Sequence, residues 1–223
     1  MPQGGLVFIG VSPRLSNRET SIQTALEDAA RRFSLYNSVN CTVLRRERIG
    51  GGIMDFHINR TYTLQYDEDL EKYIEQLEYD PLSDIYENNN ALFIVTRVAA
   101  NTDTPANRGH SSRGERPQWI DSPPSSIGGF ITGVGYSTRL TSHADTVIKS
   151  YEYAIVGIME NIAIAVNSDH QHYLNSFSAF GFDINISNDL SSSGVLRNFY
   201  ILESWTNPAD LSVWTLAIAR GEM

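Results

Sequence analysis

Two arginines occupy matching places in this chain. Arg14 follows Gly10-Val11-Ser12-Pro13 and Arg139 follows Gly135-Tyr136-Ser137-Thr138, each just ahead of a segment with helical periodicity. A cation there opposes the helix dipole instead of complementing it. Two readings stay open: a salt bridge, to Glu19 or to the other half of the chain, or contact with an anionic ligand, made twice. His170-Gln171-His172, beside Asp169, could place two imidazoles on one face of a strand within reach of a zinc ion. No further ligand is identifiable, so they read as solvated loop histidines, and no metal or cofactor is assigned. His57, His110 and His143 have no recognisable partners. Gly133-Val134-Gly135-Tyr136-Ser137-Thr138 begins like a dinucleotide-binding loop, but Thr138 stands where the third glycine belongs. Ser137 is no nucleophile elbow, because Arg139 stands where the last glycine is required. Asp67-Glu68-Asp69 suits a solvated helix start. These residues give no catalytic set, and no enzyme activity is expected.

Aromatic residues offer another chemistry. Trp119, Tyr136, Trp205 and Trp214 could stack on glycan rings or pack in the core and between the halves. Arg14, Arg139, Tyr136 and Trp119 are the candidate ligand or interface contacts.

The elements that must position these residues repeat. At a shift of 125 residues (10 to 135), Gly10, Ser12, Arg14, Leu15, Glu27 and Ala29 meet identical residues at 135, 137, 139, 140, 152 and 154. Each copy opens with an apolar strand, Leu6-Val7-Phe8-Ile9 or Phe130 to Val134. A helix start follows: Ser16-Asn17-Arg18-Glu19 has the capping-box pattern, and Ser142-His143-Ala144-Asp145 a looser version. Ile22, Ala25, Leu26, Ala29, Ala30 and Phe33 then form one helical face, and Val147, Tyr151, Ala154, Ile155, Ile158 and Ile162 another. Strands are expected over 39–46, 53–66, 91–98, 176–187, 195–205 and 211–219. An extra helix is expected in the acidic stretch 67–90, ending near Asp80-Pro81. The expectation is an α+β protein of two tandem, duplicated units, 1–98 and 130–223, each a long helix packed on an antiparallel sheet, joined by a linker or long loop over 99–129.

Composition sets limits. The 223 residues carry 26 acids against 17 bases, a net charge of −9, so no nucleic-acid partner is expected. No apolar run is long enough for a membrane span. Cys41 is the single cysteine, which excludes an internal disulfide and reads as a small buried hydrophobe. The N-terminus shows no basic or apolar signal region, which fits either a cytoplasmic chain or one trimmed of its signal.

Pro117-Gln118-Trp119-Ile120-Asp121-Ser122-Pro123, followed by Gly133-Val134-Gly135-Tyr136-Ser137 and a late strand Val195 to Trp205, resembles the LPP20-type bacterial envelope lipoproteins and the related domain of flagellar-associated envelope proteins. The resemblance covers most of 116–223 and, more weakly, 5–98. It implies a non-catalytic protein of the cell envelope, lipid-anchored when full length through a segment that this chain lacks. The implied role is structural or interactive, with other envelope proteins, with itself or with cell-wall glycan. The alternative is a ligand-binding or metal-dependent enzyme using the cleft between the two units.

Overall fold

A computed structural model describes residues 5–50, 55–99, 104–111, 115–171 and 187–222. In chain order, β1 (Gly5–Pro13) leads into α1 (Arg18–Asn37), then β2 (Val39–Gly50) and β3 (Asp55–Gln65). Next come α2 (Glu71–Ile74), β4 (Ile85–Glu87), β5 (Ala91–Ala99), β6 (His110–Ser111), α3 (Gln118–Asp121) and β7 (Ser126–Ile127). The chain continues with β8 (Phe130–Ser137), α4 (His143–Gln171), β9 (Ser187–Thr206) and β10 (Val213–Glu222). The fold is α+β with two sheets, antiparallel except where β6 joins β9 in parallel.

The small sheet has the order β1-β5-β4, and the larger runs β3-β2-β9-β10-β8-β7. Helix α1 packs on β1 and β5, and α4 on β8 and β10. The halves do not keep separate sheets. β2, from the first half, pairs along β9 from Val39↔Leu196 to Arg48↔Ser187. Aromatic residues knit one core, with Phe8 stacked on Phe33 at 5.2 Å and edge-on to Tyr200 at 5.8 Å. A second core gathers Cys41, Tyr151, Ile155, Ile158 and Phe199. Burial pushes the Cys41 thiol up to about 12, so it stays a protonated, inert apolar group.

The two strand–turn–helix segments share a local device. A Cβ on Gly10 would lie 1.8 Å from the Ala25 carbonyl oxygen, and one on Gly135 the same 1.8 Å from that of Ser150. Only glycine lets the helix backbone approach the strand this closely. The chain turns alike after each strand. Leu15 N–H donates to Ser21 Oγ at 3.0 Å, and Leu140 N–H to Thr146 Oγ1 at 3.0 Å.

Several expectations change. Asn17, not Ser16, caps α1, its side chain accepting from Glu19 N–H at 2.8 Å. Ser142 caps α4 as expected, accepting from Asp145 N–H at 3.0 Å and donating to that carboxylate. The extra helix in 67–90 shrinks to the four residues of α2. There Leu77 N–H turns to Ile74, three residues back, and Glu78 is captured by Arg97 through a pair of backbone hydrogen bonds. A sheet partner wins over helix continuation, and β4 then adds to β5. The stretch 99–129 holds more than a loop: β6 joins β9, and α3 buries Trp119 and Ile120 in the core. Helix α4 reaches Gln171, so His170 belongs to a helix and not to a loop. His172 and the strand expected from 176 fall outside the described residues.

Candidate functional site

The turns at 14–17 and 138–142 face one cleft. It has a volume of about 270 Å³ and is walled by Arg14, Arg139, Asn89, Asn90, Thr141 and Ser142, with His143 and Leu211 beside them. Each turn is held rigidly. The buried Ser12 and Ser137 hydroxyls donate to the carbonyls of Pro13 and Thr138 at 2.8 and 3.0 Å. The bonds from Leu15 and Leu140 then fix each turn to its helix. Leu211 sits at φ 61°, a left-handed backbone that a branched side chain rarely adopts. Its N–H donates to Asn207 at 2.9 Å, which holds the strained turn in place.

Arg14 and Arg139 are exposed and, among the described residues, make no ion pair or hydrogen bond. The salt bridge considered for Arg14 with Glu19 does not form. No carboxylate lines the cleft. Two guanidinium groups beside the starts of α1 and α4, in a chain of net charge −9, make a local positive field. The arrangement can bind a small anion by charge-assisted hydrogen bonds from guanidinium forks, with hydroxyl and amide donors close by.

Behind the cleft lies a histidine pair that the sequence does not announce, 33 residues apart with nothing to join them. The His143 ring meets His110 edge-on at 5.8 Å, and His110 stacks on Phe93 at 5.3 Å. Thr206 Oγ1 and His110 Nε2 are hydrogen-bonded at 2.9 Å. Burial, reinforced by the positive charge that His143 and Arg32 would add, pushes the His110 imidazolium down to about 3. Burial also lowers His143. Both rings are therefore neutral near pH 7.

Deeper still, Asp28 joins the two helices. Its carboxylate, 2% exposed, accepts from Val11 N–H at 3.0 Å, Arg32 Nε at 3.1 Å and Tyr151 Oη at 2.9 Å. Burial is the largest influence on the Tyr151 phenol, and Asp28 adds to it, so its pKa is raised well above the ordinary value. Arg32 also pairs with Asp28 through Nη2 at 2.9 Å and lies over the Tyr151 ring at 4.7 Å, so this buried cluster is engaged with itself and structural.

The other candidates separate. Trp119, expected as a contact, is 9% exposed and packs in the core, because α3 turns it inward. Trp205 is buried as well. Tyr136 is 40% exposed and lies 4.4 Å from Trp214, its partner across β8 and β10. Both border a groove of about 780 Å³ with Tyr153, Glu160, Asn161 and Arg60. Arg116 lies over the Trp214 ring at 5.3 Å, and Arg60 pairs with Glu160 at 3.0 Å, so the groove's strongest groups are already engaged. Gly133 and Gly135 are filled by α4: a Cβ on Gly133 would lie 2.4 Å from the Ala154 carbonyl oxygen, which leaves no cradle for a phosphate.

Among the described residues, no group of three or more histidine, cysteine or acidic side chains is placed to hold a metal. No described helix is long and apolar enough to cross a membrane. These features define an α+β protein with a small cationic cleft between two like turns. Compared with known proteins, the chain matches no family model, no curated protein and no solved structure.

Proposed function

We propose that this is a non-catalytic interaction protein of the cell envelope, and that it receives an acidic group of its partner in the Arg14–Arg139 cleft. The observation that carries this is the convergence of two unpaired guanidinium groups, from turns 125 residues apart (14 to 139), on one space lined by no carboxylate. The envelope setting rests on the resemblance around 117–137 and 195–205. The rigidity of both turns supports a binding role, since a preformed site loses little conformational freedom on association.

We also propose that the two strand–turn–helix segments descend from one duplicated unit. Gly10 against Ala25 and Gly135 against Ser150, with the matching bonds at Leu15 and Leu140, support this. The first unit has since lent β2 and β3 to the second unit's sheet.

The test is affinity capture from envelope extracts, comparing the native chain with an Arg14→Glu/Arg139→Glu variant of the same thermal stability. Partners retained by the native chain and lost by the variant are the expected result. Equal capture by both overturns the proposal.

A further inference from the structure

The shape and charge of the cleft also constrain what enters it. A phosphate monoester carries roughly −1.5 to −2 charge near pH 7, with three strong acceptor oxygens. Two guanidinium groups match that charge, whereas a single carboxylate leaves one of them uncompensated. Arginine forks grip tetrahedral oxyanions in pairs of parallel hydrogen bonds. Asn89, Asn90 and Thr141 add amide and hydroxyl groups suited to the hydroxyl-bearing remainder of a small ester.

Size narrows the choice further. About 270 Å³ lies below the roughly 300–1,000 Å³ of pockets that enclose drug-sized ligands. A phosphate with a few carbons fits that space. The charge of −9 on the chain as a whole repels extended polyanions, so attraction must come from the cleft alone. We infer that the cleft between Arg14 and Arg139 binds a small phosphate monoester, with the two guanidinium groups sharing its oxygens. This rests on the interaction reading above and names the chemistry of the group received.

The test is calorimetric titration of the whole chain with inorganic phosphate, glycerol 3-phosphate, sulfate and acetate. Phosphate, its ester and sulfate are expected to bind with a Kd of about 1 mM or tighter, and acetate at least about tenfold more weakly. Arg14→Gln and Arg139→Gln are each expected to weaken phosphate at least about tenfold while leaving the thermal midpoint unchanged, because neither side chain has a structural partner. Vesicles of phosphatidylcholine with and without phosphatidic acid separate the two sources of this chemistry. Retention on phosphatidic acid vesicles alone marks a lipid head group, and binding of the soluble ester without vesicle retention marks a free metabolite. No heat with phosphate at about 10 mM, or binding that survives both substitutions, overturns the inference. If phosphate fails while partner capture still depends on the arginines, the ligand class falls and the interaction reading stands. If phosphate binds through the arginines while capture ignores them, the reverse holds.

Discussion

Position for position, Val11, Asp28 and Arg32 in the β1–α1 segment answer to Tyr136, Tyr153 and Gly157 in β8–α4, each 125 residues on (11 to 136). In the first segment all three are buried, and Tyr151 of α4 closes over them through Asp28. In the second, the same three positions line the groove of about 780 Å³. One scaffold thus spends its outer face on joining the halves, and its counterpart leaves that face open to solvent. The shared backbone device, a glycine under a helix carbonyl, fixes the geometry, and the side chains at three positions decide what each face does.

Removing the buried acid should hurt most. Asp28→Ala leaves Arg32 and Val11 N–H without their acceptor and is expected to cost about 3–5 kcal/mol in urea unfolding, whereas Tyr153→Ala at the equivalent place costs less than half of that. Equal losses would erase the distinction between the faces. Next come the glycines. Gly10→Ala and Gly135→Ala each force a methyl to 1.8 Å from a helix carbonyl and should each cost about 3 kcal/mol. If one is tolerated and the other is not, the two segments are not built alike.

Acid should act through His110 of β6, whose ring packs on His143 at the start of α4. At its first residue, α4 has His143 where α1 has Arg18 (18 to 143). His110, at about 3 when folded against 6.5 in the free side chain, takes up its proton in the unfolded state first. Its contribution is therefore complete above pH 6.5 and drains away as pH falls toward 3. From pH 7 to pH 5 the loss should be about 2 kcal/mol by linkage, and His110→Gln should flatten that slope in chemical denaturation. The smallest effect belongs to Arg18→Gln. Its ion pair with Glu87 at 2.6 Å is largely exposed, so less than about 1 kcal/mol is expected, with no pH dependence between 5 and 7.

Much of this plan could be read from residue order. Alternation and helical spacing located β1, α1, β2, β3, β5, β8 and β10, because each has a face of its own that must be buried. The recurrence of Gly, Ser, Arg and Leu at 10–15 and 135–140 marked two like turns, and its Arg-Leu pair led to the cleft. What stayed hidden depended on distant partners. Nothing near Leu70 to Leu77 reveals that Arg97 will take the backbone of Glu78 and stop α2. Nothing near Trp119 shows that α3 will fold it into the core. Asn89 and Asn90 join the cleft only because the hairpin between β4 and β5 brings them beside Arg139.

The ladder between β2 and β9 also bears on biosynthesis. Residues 39–48 must wait for 187–196 before their outer backbone groups find partners. While the chain is being made, the N-terminal hairpin therefore emerges with one edge unpaired, a surface on which nascent chains tend to aggregate. Pairing across so long a stretch is slow, and the β2 edge stays open until residues 187–196 have been made.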